Sequence, residues 1–293
     1  MIWQQLPQFI VSGITSGSIY ALIALGFCII HNATGIVNFA QGEFVMLGGL
    51  TIISLNQTFH VPLLVAFPLT ILFVMGIGAL LEFGPIRHSK SKDILILVII
   101  TIGASIFIRG FSPMIWGKMA RTLPPFSGDT PILVLNAAIM PQTLWILGIS
   151  FVVLLCLHLF FLKTPTGRAM RAVADNRMGA ALTGINVDKI VLLSFVFAAA
   201  LGATAGVIIT PITATSYDSG VMLGLKGFSG AVLGGYGNFA GAILGGLLLG
   251  VLESLGAGFI SSEYKDAIAF LILLLVLFWK PSGLLGKGEI RKV

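Results

Sequence analysis

The side chains able to do chemistry in this chain are few, and most sit inside apolar sequence. Asn38, Gln41 and Glu43 fall within HNATGIVNFAQGEFVMLGG (His31–Gly49), Lys226 and Glu253 within Gly-rich apolar runs, and Glu82 and Arg109 beside apolar segments. A charge at mid-bilayer costs at least ~2.5–3.5 kcal/mol on insertion scales, so each such group needs a partner, a polar cavity or a route to the surface. Two readings stay open for the set: structural interhelical pairs, or the lining of a path for a small polar solute. Asn38, Gln41, Glu43, Lys226, Asn238 and Glu253 are the path candidates, whereas Glu82 and Arg109 read as span-end groups that snorkel outward.

No catalytic constellation accompanies them. His31, His60, His88 and His158 are scattered without metal-ligand spacing. There is no G-x-S-x-G elbow, and Gly283–Gly288 (GLLGKG) lacks the Ser/Thr of a phosphate-binding loop. Cys28 and Cys156 lie in apolar runs and read as buried packing residues. The chain therefore reads as a non-enzyme with no metal or cofactor of its own; if ATP drives it, another polypeptide hydrolyses the ATP.

Composition fixes the medium. Of 293 residues 57% are hydrophobic and 10% charged, against roughly 25% charged in soluble domains, and the mean hydropathy is +1.03. Thirty-six glycines suit helices that pack backbone to backbone in a bilayer. The class is an all-α polytopic membrane protein. A net charge of +6 does not point to nucleic acid here, because the basic residues cluster beside apolar spans as positive-inside topology requires.

The elements that must position the polar groups follow in order. Met1–Gln8 has no basic stretch and does not read as a cleaved signal peptide. Phe9–Ile30 reads as a span, and His31–Gly49 as a broken or re-entrant element. Leu63–Leu81 reads as a span, Arg87–Asp93 as a basic internal loop, and Ile94–Phe111 as an outward span. Ser112–Pro141 reads as an external loop flanked by the interface anchors Trp116 and Trp145, and Thr143–Leu162 returns inward. Ile190–Ile212 goes out, Gly220–Gly250 holds one or two helices with a break near Gly235–Asn238, Ala267–Trp279 is the last span, and a basic tail follows. Eight or nine membrane elements result; nine crossings put the N-terminus outside, eight put it inside. NFAQG at Asn38–Gly42 echoes NFAGA at Asn238–Ala242, each followed by a Gly-Gly pair, as in transporters built from repeats with interrupted helices.

Between the spans lies a polar, basic island, Lys163–Lys189. Thr164 is placed to cap a helix, Pro165 to open it and Gly184 to end it. Met178, Ala181, Leu182 and Ile185 recur at i, i+3, i+4 and i+7, one apolar stripe on a short helix. Arg171 and Asp175 are spaced to pair on its solvated side. Such a helix lies on the lipid surface or docks into a groove of a soluble partner.

SGSIYALIALGF (Ser16–Phe27), GIVNFAQGEFVMLGG (Gly35–Gly49), TGRAMRAVADNRMGAALTGINVDKI (Thr166–Ile190), KGFSGAVLGGYGNFAGAILGGLLLGVLES (Lys226–Ser254) and EYKDAIAFLILLLVLFWKPSGLLGK (Glu263–Lys287) together resemble the inner-membrane permease subunits of bacterial ABC importers for branched-chain amino acids, whose relatives serve urea and amides. The closing segment resembles the LivH type. The resemblance implies a permease that forms the translocation path in the bacterial inner membrane. Its partners would be a second related permease, two cytoplasmic ATP-binding subunits and a periplasmic substrate-binding protein. It also implies that Ala180, Ala181 and Gly184 match the coupling-loop motif, so that Arg168, Arg171, Met178, Leu182 and Ile185 complete the surface offered to the ATPase. The motif departs from the wider importer pattern at Gly179, where Glu is common, and Gln41 stands where the family has His. The rival readings are a urea or amide permease, a stand-alone carrier or channel, and a structural scaffold that would tolerate charge reversal across residues 177–185.

Overall fold

The computed structural model describes residues 5–91, 93–134 and 137–286. Met1–Gln4, Lys92, Leu135, Asn136 and Lys287–Val293, which include the start of the segment read above for a signal peptide and most of the basic tail, lie outside the described residues. Eleven α-helices make up the described fold. They are α1 (Leu6–Thr34), α2 (Gln41–Ile53), α3 (Leu63–Leu81), α4 (Ile94–Trp116), α5 (Pro141–Lys163), α6 (Pro165–Asp175), α7 (Arg177–Leu182), α8 (Val187–Ile209), α9 (Ser219–Gly234), α10 (Phe239–Phe259) and α11 (Lys265–Trp279). Wider π-helical turns close α2 (Ser54–Thr58) and α3 (Glu82–Ile86), the second at Pro85, which has no N–H to continue the ladder.

Local chemistry sets these ends. Gly35, at φ 78°, stops α1 and returns its N–H to His31 O. Thr164, Asn176, Asn186 and Asn238 each accept a backbone N–H in the first turn of α6, α7, α8 and α10. The expected span Leu63–Leu81 coincides with α3. The Gly-rich stretch is two helices interrupted at Gly235–Asn238, and the run Ser254–Ile260 completes α10. Several ends differ by a few residues; α8 runs Val187–Ile209 where Ile190–Ile212 is expected. α4 continues five residues past Phe111, and the loop after it carries a small antiparallel hairpin, β1 (Ile132–Val134) and β2 (Ala137–Ile139), an addition to the all-α reading.

Six helices, α1, α3 with its closing turn, α4, α5, α8 and α10, are long and apolar enough to cross a membrane. Their burial sorts them: 89% of the apolar window of α1 is inside the bundle, against 11% for α4 and 17% for α5. α1 is therefore the axis, and α4 and α5 present their side chains outward. Small residues let the backbones meet. α1 lies antiparallel to α10 with Gly13 on Val251, Gly17 on Leu247 and Ala21 on Gly246, while Gly48 of α2 rests on Ala203 of α8.

Two ends of the bundle are defined by contacts. At one, Gln8 meets Ala138, Trp116 Nε1 donates to Ser54 Oγ at 2.6 Å, and Arg121 bridges Thr215. At the other, Arg87 reaches the Asp188 carbonyl, Asn32 reaches the Gly237 carbonyl, and α6 and α7 lie. Trp116 is thus buried instead of anchoring at an interface, whereas Trp145 is exposed. Cys28 is buried, but Cys156 faces outward on α5, correcting its reading as a packing residue.

Candidate transport path and coupling surface

The first interruption gathers three of the path candidates. Between α1 and α2 the chain leaves helical geometry over residues 35–40. Asn38 is fully buried; its Oδ1 accepts the Ala40 N–H at 3.1 Å, and its Nδ2 has no partner among the described residues. Gln41 opens α2, packs on Gly26 of α1 and donates Nε2–H to the Ala198 carbonyl of α8 at 2.9 Å, leaving Oε1 unpartnered. Glu43 accepts from Ser105 Oγ of α4 at 2.8 Å, lies within Coulombic range of Arg109, and turns a second, unpartnered oxygen toward Gly220 at the start of α9. Each of the three side chains thus has one hydrogen-bonding atom occupied and one spare. Buried polar atoms are almost always paired, so spare ones concentrated at one break are unusual.

The second interruption holds Asn238. It caps α10 and donates Nδ2–H to the Leu285 carbonyl at 2.8 Å. Leu284 and Leu285 in turn donate to the Leu233 and Gly234 carbonyls, so the segment after α11 is laid across the α9–α10 break. The last turn of α1, just before the first interruption, touches the second: Asn32 Nδ2 donates to Gly237 O at 2.8 Å, and the His31 and Tyr236 rings lie 4.5 Å apart. The two NFA segments therefore follow two broken helices that meet at one end of the bundle.

Lys226 and Glu253 form a separate cluster. Lys226 Nζ on α9 donates to Glu253 Oε1 on α10 at 2.8 Å and stands 2.7 Å from Asp266 Oδ1 on α11, the latter an ion pair off the hydrogen-bonding direction. Glu253 Oε2 accepts the Tyr20 hydroxyl of α1 at 2.8 Å. One lysine thus serves two carboxylates, and four helices converge on it. Tyr20, Asp266 and Ser105 escaped the sequence reading. Tyr20 and Asp266 lie in two of the segments that carry the family resemblance, but only their three-dimensional neighbours give them a role. Glu82 is also corrected: it is buried and bound by Arg87 through both oxygens, at 3.1 and 2.9 Å, rather than snorkelling.

The island is two helices, α6 and α7, packed on one end of the bundle through Met170, Val173 and Ala180. Met178 and Leu182 are 77% and 85% exposed, a large apolar pair with little of the described chain over it. Arg168, Arg171 and Ala181 are exposed beside them, while Ala180 packs into the core. Ile185 does not extend the stripe. Gly184, at φ 85°, donates to Ala181 O, and Ile185 N–H returns to Ala180 O at 3.1 Å, a Schellman closure that turns the chain off the helix. Arg171 and Asp175 are not an ion pair; both instead line a cavity of about 730 Å³ between α6 and the second interruption. Of the path candidates only Asn238 borders that cavity. The six do not share one chamber.

Among the described residues these clusters are hydrogen bonds and ion pairs between different helices of the bundle. A bundle of apolar helices with two interruptions, buried ion pairs and a polar helix pair packed on one end is that of a multi-pass membrane transport protein. A comparison with family models matches residues 9–277 to the branched-chain amino acid transport system / permease component, and the chain belongs to that family. It is similar to the high-affinity branched-chain amino acid transport system permease protein LivH of Escherichia coli, 36% identical over 304 residues that cover 98% of this chain and 97% of that one. The corresponding LivM of the same organism is 26% identical over 298 residues, covering 91% of this chain and 68% of LivM. Among solved structures, a chain of PsaBC from Streptococcus pneumoniae in complex with Fab shares the fold, with a TM-score of 0.53 and 13% identity over 96% of both chains.

Proposed function

We propose that this chain is the path-forming permease subunit of an ATP-driven importer for branched-chain or similar apolar amino acids in the bacterial inner membrane. All 293 residues act as one permease domain, with residues 163–189 as its cytoplasmic coupling loop. It pairs with a second related permease, as the similarity to both LivH and LivM suggests, and works with two cytoplasmic ATP-binding subunits and a periplasmic binding protein. ATP is used by those partners; this chain carries no cofactor. Helices α1–α5 and α8–α11 run alternately between the two ends of the bundle, a pattern that favours nine crossings with the N-terminus outside.

The observation that carries the coupling role is the exposed Met178 and Leu182 pair on α7. A short helix that leaves its two largest apolar side chains in water is shaped for a groove on a soluble partner. The route inward is short. α5 runs into α6 through the Thr164 cap, and α7 runs into α8 through Asn186. α8 supplies the Ala198 carbonyl that holds Gln41. When the ATPase dimer closes and moves α6 and α7, a shift of α8 breaks that bond and frees Gln41, beside Asn38 and Glu43, to meet the solute. Ala180 and Gly184 shape the coupling loop, and Arg168 and Arg171 form its solvated flank.

Proteoliposomes holding the complete complex with ATP inside are expected to accumulate leucine delivered by the binding protein, and to ignore urea. Vesicles holding this chain alone are expected to show no uptake. Robust uptake by the lone chain, with or without an ion gradient, would overturn the reading.

A further inference from the structure

The cavity of about 730 Å³ beside α6 belongs to neither the Gln41 cluster nor the Lys226 cluster. We infer that it is a second amino-acid site, on the cytoplasmic face, which takes a zwitterion with an apolar side chain and restrains the coupling helices when it is filled. The inference rests on the importer reading for the side of the membrane and for the class of cargo.

The chemistry of the walls selects the ligand. Arg171 and Asp175 stand one turn apart on α6, both line the cavity, and neither forms an ion pair among the described residues. A guanidinium fork suits a carboxylate and an aspartate suits an ammonium, so the two together fit both ends of a free amino acid. His31 and Tyr236 also belong to the lining, and the His31 Nδ1 and the Tyr236 hydroxyl, each shut off from solvent, have no hydrogen-bond partner among the described residues. Each can donate or accept, according to the imidazole tautomer and the hydroxyl rotor. Ile29, Phe161 and Phe239, from three different helices, supply apolar wall. A volume inside the ~300–1,000 Å³ range of small-ligand sites leaves room for such a molecule. A neutral amide would leave both charges unused, and a phosphate would meet Asp175.

The position gives the consequence. One wall is α6, and the other is the break between α9 and α10, so a ligand there bridges the coupling loop to the second interruption. A ligand that fits one arrangement of two elements stabilises that arrangement over the others. Rising internal amino acid would therefore hold α6 in place and slow the import cycle.

The test uses the complete complex in proteoliposomes with ATP inside, and reads the initial rate of labelled leucine uptake. Vesicles preloaded with unlabelled leucine are compared with vesicles preloaded with equal urea, with 4-methylpentanoate, which lacks the ammonium, or with isopentylamine, which lacks the carboxylate. Internal leucine is expected to lower the rate by roughly fivefold or more, the low end of ordinary allosteric coupling, and the three others to leave it unchanged. Asp175→Asn and Tyr236→Phe are each expected to bring the ratio of unloaded to leucine-loaded rates close to unity. No effect of internal leucine on the parent complex overturns the inference, and so does inhibition that persists undiminished in both variants. If either variant fails to assemble, equilibrium binding of labelled leucine to the parent complex without binding protein decides, and absence of saturable binding overturns the site. Failure of uptake into unloaded vesicles would instead count against the importer reading itself.

Discussion

Lys226 Nζ and Glu253 Oε1 lie 2.8 Å apart between α9 and α10, each residue less than a tenth exposed, and the pair is tied to α1 by Tyr20 and to α11 by Asp266. A buried pair of this kind is expensive to break on one side only, because the remaining charge loses its compensation. Lys226→Met leaves two carboxylates facing each other and is expected to destabilise the protein by about 3–5 kcal/mol. The double variant Lys226→Met with Glu253→Leu is expected to recover most of that loss, since Asp266 keeps about a third of its side chain in contact with solvent. Unfolding in detergent followed by size-exclusion survival against temperature checks both. A double variant no better than the single one would show that the pair does not act as a unit.

The α1–α10 contact sets a second expectation. A Cβ on Gly246 would fall 2.5 Å from Ala21 N and 2.6 Å from its Cα, and backbone cannot move aside as a side-chain tip can. Gly246→Leu is therefore expected to cost at least about 1–3 kcal/mol as an overpacked site, with loss of properly folded material. Gly76→Leu, at a position with nothing within 4 Å, is expected to leave yield and thermal stability near those of the parent. Equal behaviour of the two would refute the close-packed register described for α1 and α10.

The Glu82 and Arg87 pair gives a third. Arg87 holds both oxygens of buried Glu82 and also donates to the Asp188 carbonyl, so it fastens the end of α3 to the start of α8. Arg87→Ala removes that fastening and leaves a carboxylate buried. A loss of about 1–3 kcal/mol is expected, as for a buried acceptor whose partner is removed. Because α8 follows the proposed coupling loop, uptake is expected to fall further than the loss of folded protein explains. Arg87→Lys, which keeps the charge but not the fork, is expected to restore only part of it. Transport per folded complex, measured for both variants, decides the point.

What the sequence disclosed and what it withheld divide along range of interaction. The Thr164 cap, the end at Gly184, the break at Gly235–Asn238 and the span Leu63–Leu81 were legible because each depends on a few neighbouring residues. The partners of Glu253 were not legible. Tyr20 lies 233 residues away along the chain, and no local pattern links them. Glu82 failed for a subtler reason. Its partner is five residues on, a spacing that an α-helix does not align, and the π-helical turn at Pro85 rotates the two onto one side. The apolar stripe of the island stopped at Leu182 for the converse reason: the pattern continued through Ile185, but the left-handed Gly184 took the backbone away. The approach of the α1 end to the second break, through the Asn32 bond to the Gly237 carbonyl, had no signal in the local sequence pattern.

The coupling surface yields the last prediction. Leu182 is 85% exposed at the end of α7 and touches little of its own chain, so Leu182→Glu should disturb the fold by no more than about 0.5 kcal/mol, as ordinary surface substitutions do. If α7 docks as proposed, the same change would place a carboxylate in an apolar groove of the ATPase, where desolvation without a partner is costly. ATPase subunits are therefore expected to be lost on co-purification, and ATP-driven uptake with them, while the thermal stability of the isolated permease is kept. Met178→Glu is expected to act alike. Ala181→Glu, on the same helix, is expected to weaken association less, because no large side chain is removed from the contact. If Leu182→Glu retains both ATPase association and uptake, the exposed pair on α7 is not the docking face. The motion would then have to enter through the basic flank at Arg168 and Arg171.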